Sequence, residues 1–147
     1  MKIHILTTGG TIEGLDYNAI DDAPKESSKI IEQFLRASKV SFEFSIKRLF
    51  SKDSRFITDV DRAALADNIR ESKEDKILIT HGTLTMAETA KFLGVLGLDR
   101  TIVLVGSFIL GTEADSDAPF NLGYSIGALQ NLASGVYIAM NGKVFSW

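Results

Sequence analysis

The chain has 147 residues, 45% hydrophobic and 24% charged, with a net charge of −3 at pH 7 and no cysteine. Its length fits one domain, residues 1–147, that can fold without a disulfide or a metal. The composition excludes disulfides and thiol chemistry and offers no basic surface for nucleic acid or acidic lipid.

Targeting, membrane and metal-binding signals are also missing from the sequence. The first apolar run, residues 3–6, is too short for the core of a secretory signal, and no run reaches the ~18 residues of a membrane helix. We therefore expect a cytoplasmic protein. Two histidines far apart in the sequence make no zinc motif, so we expect neither a metal nor another cofactor.

Short apolar runs alternate with helical patterns. In chain order the patterns predict a strand at 3–7, a helix at 28–37, a strand of alternating polarity at 40–49, a helix at 58–72, a strand at 76–80, a helix at 85–96, a strand at 101–105, a helix at 118–131 and a strand at 135–140. This alternation predicts a three-layer, doubly wound α/β domain of Rossmann-like type, whose mainly parallel sheet is covered by helices on both faces.

The loops after the strands are the candidate sites, because such sheets bind ligands at the carboxyl ends of their strands. The first of these loops is Thr8-Gly9-Gly10-Thr11, whose glycines let a ligand approach main-chain amides. Its spacing is neither that of a dinucleotide-binding turn nor that of a P-loop. On the residues alone, a nucleophile loop and an ordinary glycine turn stay equally open.

Two later loops also carry hydroxyl groups. The strand at 76–80 is followed by His81-Gly82-Thr83, where helix capping by threonine competes with a catalytic role. His81 is interpreted as a hydrogen-bonded structural histidine, since no sequence neighbour would orient it as a base. Asp53 and Ser54, taken alone, indicate a solvated loop.

Together these segments resemble the amino-terminal domain of the bacterial-type L-asparaginases. The resemblance is carried by Thr8-Gly9-Gly10-Thr11-Ile12 and by residues 79–89, Ile-Thr-His-Gly-Thr-Leu-Thr-Met-Ala-Glu-Thr. It extends through Asp53-Ser54 and residues 115–122, in the same order and spacing. The family's usual chain is longer and carries a second domain, so this sequence is most similar to short, single-domain asparaginase-like proteins.

The resemblance implies an amidohydrolase that cleaves a small side-chain amide. It implies that Thr11 is the nucleophile, that Tyr17 is the mobile-loop tyrosine hydrogen-bonded to it, and that Thr83 is the second catalytic threonine. Substrate-binding positions by the same resemblance are Gly10, Asp53, Ser54, Gly82 and Leu84. This chemistry is physically coherent, because a threonine hydroxyl needs a neighbour to take its proton and glycine amides can stabilise an oxyanion.

The sequence departs from the family pattern in three places. Leu84 replaces an aspartate that contacts the substrate's α-amino group, and a lost charged hydrogen bond costs about 1.5–3 kcal/mol. Free L-asparagine is therefore expected to bind poorly. The family's catalytic lysine would follow residue 147, and Lys143, beside an expected Asn141-Gly142 hairpin turn, does not align with it. Either the sequence is truncated, or the protein works without that group.

The third departure is residues 106–111, an apolar segment in place of a more polar one. It predicts a lid, a pocket lining or a dimer surface, and the family assembles from intimate pairs, so a homodimer or larger homo-oligomer is expected. Two other functions stay open. One is a non-catalytic module that binds a small carboxylate such as aspartate. The other is an assembly domain that pairs with a separate chain supplying the lysine.

Overall fold

A single sheet organises the chain. The computed structural model describes residues 1–16 and 29–147, and within them six strands lie in the order β2-β1-β3-β4-β5-β6. The strands are β1 Lys2–Gly9, β2 Glu43–Lys52, β3 Lys76–Thr80, β4 Thr101–Val105, β5 Gly135–Met140 and β6 Lys143–Ser146. The helices are α1 Ile30–Ala37, α2 Asp59–Glu71, α3 Met86–Gly94 and α4 Ala118–Asn131. Neighbouring strands are parallel except β5 and β6.

Helices cover the sheet on both faces. Buried side chains of α1 and α4 pack with Ile5, Leu78 and Val103 in one hydrophobic cluster. Buried side chains of α2 and α3 pack with Ile77 and Ile79 in a second cluster on the other face. The three layers confirm the predicted doubly wound α/β fold. None of the helices in the described part of the chain is long and apolar enough to cross a membrane.

The central strand β3 shows why the apolar runs are continuous. Its residues alternate between the two clusters, because successive side chains of a strand point to opposite faces. Leu78 pairs with Ile5 of β1 on one side and with Val103 of β4 on the other. With strands on both edges and helices on both faces, every position from Ile77 to Thr80 is buried.

Two helix boundaries were well signalled in the sequence. Thr58 and Asp61 form a reciprocal capping box at the start of α2, and Pro119 lies in the first turn of α4. The predicted helix at 85–96 is shorter in the structure and ends at Gly94. Its inward face ends with Leu93, and Leu96 is 38% exposed, so no burial sustains another turn.

The strand predicted at 40–49 is displaced by three residues and forms β2 at Glu43–Lys52. Phe42 and Phe44 pack against the cluster of α1 and α4, while Ile46 is 37% exposed because β2 is the edge strand. The extension to Lys52, which pairs with Gly9, carries the next two residues to the carboxyl edge of the sheet.

The carboxy-terminal strand β6 was not predicted from the sequence, although its turn was. Asn141 and Gly142 have φ angles of 48° and 78°, and Met140 pairs with Lys143 across them. This is the two-residue hairpin with left-handed central residues that Asn-Gly favours. Lys143 is exposed, as expected. Four exposed residues gave too little pattern to identify β6.

Burial predicts which positions of α2 stabilise the fold. Leu65 is 1% exposed and Val60 is 79% exposed on the same helix. Leu65→Ala should lower the free energy of unfolding by about 2–5 kcal/mol, because it leaves a cavity. The control Val60→Ala should change it by no more than about 0.5 kcal/mol. Urea unfolding measures both, and equal effects would contradict the packing described.

Candidate active site

Three loops meet at the carboxyl edge of β2, β1 and β3. Because these strands are parallel neighbours, the loops that follow them start side by side. They line one small hollow of about 250 Å³, its open mouth included. Its lining residues are Gly10, Thr11, Leu15, Asp53, Ser54, Gly82, Thr83 and Leu84. Seven of the eight positions expected from the resemblance are therefore brought together, and Tyr17 lies outside the described residues.

Two glycines let the loops approach at backbone distance. A Cβ atom on Gly10 would lie 2.6 Å from the backbone nitrogen of Gly82, and one on Gly82 would lie 2.7 Å from Ser54 Oγ. Gly10 also has a φ of 85°, which L-residues with side chains rarely adopt. Both positions therefore exclude any side chain, and the hollow exists because the three backbones stack.

The turn that carries Thr11 is fixed by main-chain bonds. Residues Thr11–Glu13 form a single 3-10 turn, in which the N–H of Gly14 donates to Thr11 O at 2.9 Å. The N–H of Gly111, in the loop after β4, donates to the same carbonyl at 2.9 Å. The Thr11 side chain thus projects from a backbone held from two sides.

Three of the residues that line the hollow carry hydroxyl groups with no side-chain hydrogen bond to the described residues. Thr11, Ser54 and Thr83 make no side-chain hydrogen bond to residues 1–16 or 29–147. Hydroxyls that face a cavity without an intramolecular partner are free to bond a ligand. The hollow can therefore offer three donors and acceptors to one small molecule.

The threonines after β3 do not cap α3. The residue preceding this helix, Thr85, makes no side-chain cap hydrogen bond, and Gly82 holds the equivalent position for the 3-10 turn Thr83–Thr85. Thr85 instead donates its hydroxyl proton to Ser54 O at 2.8 Å. The capping alternative is therefore wrong, and Thr85 joins the loop after β3 to the loop after β2.

His81 is a buried hydrogen-bonding residue, as interpreted from the sequence. Its Nδ1 lies 2.7 Å from Gly82 O and its Nε2 lies 2.8 Å from Thr89 Oγ1. Because a carbonyl only accepts, we assign the proton to Nδ1, and the Thr89 hydroxyl then donates to Nε2. Arg62 Nε donates to Thr89 Oγ1 at 3.0 Å. Burial lowers the pKa of His81 to about 4, so the ring is neutral at pH 7.

Asp53 has its charge partner within its own loop. Its carboxylate accepts hydrogen bonds from Arg55 N and Arg55 Nη2, both at 2.9 Å. It is the one charged side chain among the described lining residues. Leu84 is 52% exposed at the rim of the hollow. A ligand ammonium next to Leu84 would find no carboxylate from that position.

Sequence reasoning missed Glu13, whose carboxyl group is buried under the Thr11 turn. Its Oε2 accepts from Gly9 N at 2.5 Å and from Thr80 Oγ1 at 2.8 Å. Burial raises the pKa of Glu13 from 4.5 to about 7. The one available signal was an acidic residue just after Ile12 in an otherwise uncharged, glycine- and threonine-rich segment, and this does not reveal where the carboxyl points.

The apolar segment after β4 lies outside the hollow's lining. Phe108 is 69% exposed and Ile109 is 40% exposed. The carboxylate of Asp117 accepts from both of their backbone N–H groups, at 3.1 Å and 2.9 Å. The segment's backbone is thus held in place while its two largest side chains face solvent. Among residues 1–16 and 29–147, no group of three or more His, Asp or Glu side chains could hold a metal ion.

Comparison with known proteins identifies the family of this chain. The family described as "Asparaginase, N-terminal" matches residues 2–146. The chain belongs to the asparaginase family. The glutaminase-asparaginase of Acinetobacter glutaminasificans is 36% identical to it over 158 residues, which cover 99% of this chain and 47% of the relative.

Two further relatives of this asparaginase-family chain are also matched over only part of their own length. The crystal structure of the probable cytoplasmic L-asparaginase from Campylobacter jejuni has a TM-score of 0.83 and 32% identity, covering 99% of this chain and 47% of that one. A component of the glutamyl-tRNA(Gln) amidotransferase of Aeropyrum pernix is 32% identical over 153 residues, covering 97% of this chain and 35% of the relative. The chain thus spans about half the length of its relatives, or less.

The contact between the loops predicts opposite effects of alanine at two glycines. Gly10→Ala should destabilise the protein by about 2 kcal/mol or more, because it adds left-handed strain and a clash with Gly82. Gly127→Ala, in α4 with open space around it, should stabilise by about 0.5–1 kcal/mol. Urea unfolding checks both, and a Gly10→Ala variant as stable as the unsubstituted protein would refute the contact.

Proposed function

We propose that this protein is an amidohydrolase of the L-asparaginase type that cleaves a small side-chain amide, with Thr11 as its nucleophile. The observation that carries the proposal is the convergence of Thr11, Thr83 and Ser54 on one hollow. Membership of the asparaginase family and the resemblance of the two threonine motifs support it further.

The reaction has two steps. Thr11 Oγ attacks the amide carbon, the carbon–nitrogen bond breaks, and ammonia leaves with the hydroxyl's proton, so an ester with Thr11 remains. Water then adds to the ester and the carbon–oxygen bond to Thr11 breaks. One proton of the water returns to Thr11 Oγ, the other passes to solvent, and a carboxylate is released. Thr83 is the proposed relay for the protons, and Tyr17 is the proposed partner of the nucleophile. Backbone amides at the Gly10 turn are the proposed donors to the oxyanion.

Ser54 and Leu84 define the proposed substrate. The Ser54 hydroxyl, with neighbouring backbone amides, is assigned to the substrate carboxylate, and Gly82 and Asp53 line the same hollow. Leu84 offers neither charge nor hydrogen bond to an α-ammonium group. We therefore propose a substrate with a carboxylate and a side-chain amide, but with an uncharged or apolar group where L-asparagine carries its amine.

The role of Thr11 predicts a complete loss of turnover on substitution. Thr11→Ala should abolish ammonia release from a panel of β- and γ-carboxamides, because no other lining hydroxyl replaces the nucleophile. Thr112→Ala, at an exposed threonine outside the hollow, should keep full activity. If no amide releases ammonia above the Thr11→Ala background, the proposed function is wrong.

The role of Leu84 predicts a gain for free L-asparagine. Leu84→Asp should tighten its binding by roughly tenfold to a hundredfold, since a charged hydrogen bond contributes about 1.5–3 kcal/mol. The matched control is Leu84→Asn, which has nearly the same shape as the aspartate but no charge. Isothermal titration measures both variants, and equal affinities would contradict the assignment of this position to the amine.

A second candidate function is a non-catalytic module that binds a small carboxylate such as aspartate. It is favoured by the lack of a lysine among the described lining residues, and Leu84 favours those small carboxylates that carry no ammonium group. The two functions differ in one assay. A rise in melting temperature with aspartate or succinate, without cleavage of any amide, would identify the binding module.

Assembly and location belong to the same proposal. We propose a homodimer or larger homo-oligomer, because Phe108, Ile109 and Phe120 are 69%, 40% and 60% exposed, and exposed apolar groups commonly mark interfaces. The proposed location is the cytoplasm, as for the Campylobacter jejuni protein named above. The proposed partner is a small amide or dicarboxylate, with no nucleic acid and no membrane.

A further inference from the structure

We propose that Glu13 is a positioning residue, whose buried carboxylate joins the Thr11 turn to the end of β3 and so sets the spacing of Thr11 and Thr83. Its catalytic consequence rests on the proposed function, but the bridge itself does not. Glu13 is not among the described lining residues of the hollow, so it would act through the two loops.

One oxygen atom makes the bridge. Glu13 lies two residues after Thr11 in the same 3-10 turn, and its side chain folds back beneath the turn. Oε2 accepts from Gly9 N at 2.5 Å and from Thr80 Oγ1 at 2.8 Å. Gly9 has a φ of 105° and lies where the ladder between β1 and β2 shifts register. The carboxylate therefore satisfies a donor at the point where the regular sheet ends.

The bridge limits how far the two loops can separate. Gly10 and Gly82 are in van der Waals contact, which sets a minimum distance between the turns. A bonding contact must limit how far apart the two turns can move. Glu13 provides it by accepting a hydrogen bond from Thr80, three residues before Thr83. A parallel bond runs from Thr8 Oγ1 to Thr80 O at 2.7 Å. Both threonine loops are thereby tied to one buried group.

Ionisation of Glu13 strengthens the bridge at a cost in stability. Burial disfavours the charged form and raises the pKa of Glu13 to about 7, although hydrogen bonds from Thr80, Gly9 and Thr7 and the charge of Arg48 favour the carboxylate. Because the folded pKa exceeds the ordinary value of 4.5, Glu13 stabilises the fold most below pH 4.5. That stabilisation is lost as the pH rises through about 7. A glutamine could accept the bonds from Gly9 N and Thr80 Oγ1 with its amide oxygen but carries no charge, so this substitution isolates the effect of ionisation on the bridge.

Two substitutions and a matched control test the inference on the full chain. Glu13→Gln keeps an acceptor oxygen but loses the charge-assisted bonds. Its kcat should be roughly threefold to tenfold lower than that of the unsubstituted protein at pH 8 and equal to it below pH 6, with KM unchanged. Glu13→Ala should lose more. Glu74→Gln alters a carboxylate paired with Lys2, next to the amino end of β3, and should change neither kcat nor its pH profile.

A second readout does not depend on activity. Exchange of the Gly9 amide proton, followed by NMR and corrected for intrinsic rates, should be slowest above pH 7 in the unsubstituted protein. It should be faster and independent of this titration in Glu13→Gln, and fastest in Glu13→Ala. If the Glu13→Ala variant fails to fold, exchange of the Gly9 amide in Glu13→Gln still tests the bridge.

The outcomes separate this inference from the proposed function. A Glu13→Gln variant with unaltered kcat, pH profile and Gly9 exchange would overturn the positioning role. If no amide is cleaved by the unsubstituted protein, the proposed function fails, and Gly9 exchange alone then supports or overturns the bridge.

Discussion

The backbone of Gly10 lies against the backbone of Gly82, and the arrangement of the site depends on that contact. A Cβ atom at Gly10 would come within 2.6 Å of the Gly82 nitrogen. Interiors packed at this density tolerate almost no added volume. The parallel order of β2, β1 and β3 brings the loops together. How closely they approach depends on Gly10 and Gly82, which have no side chains. Thr11 and Thr83 line the same hollow because their neighbours Gly10 and Gly82 carry no side chains.

Buried polar groups hold this contact in one geometry. On one side, Arg62, Thr89 and neutral His81 form a chain of hydrogen bonds that ends on Gly82 O. On the other side, the carboxyl of Glu13 bonds to Gly9 and Thr80. Buried polar groups are costly unless they are satisfied, and in both cases the bonds that satisfy them also fix a loop of the hollow. Within residues 1–16 and 29–147, by contrast, the hydroxyls of Thr11, Ser54 and Thr83 have no side-chain partner.

Sequence patterns gave the fold closely where burial is complete. The β3 strand and helix α4 were predicted with their observed bounds, because apolar runs and a helix-start proline are local signals. The edge strand β2 begins and ends three residues later than predicted. Few of its positions are buried, so its alternation of apolar and polar residues is a weak guide to its bounds. The resemblance to the asparaginase family supplied seven of the eight described lining residues of the hollow, and Leu15 was missed. The bridge at Glu13 and the His81 network were out of reach, because they join residues 67 and 27 positions apart and depend on the assembled sheet.

The most direct test of the account is a crystal structure of the protein with succinate bound, because succinate has two carboxylates and no ammonium group to meet Leu84. The shared pocket predicts one carboxylate of the ligand within about 3 Å of both Thr11 Oγ1 and Thr83 Oγ1, with the other carboxylate at Ser54. A ligand seated away from the hollow, or one that reaches only one of the two threonines, would contradict the claim that both hydroxyls serve a single site.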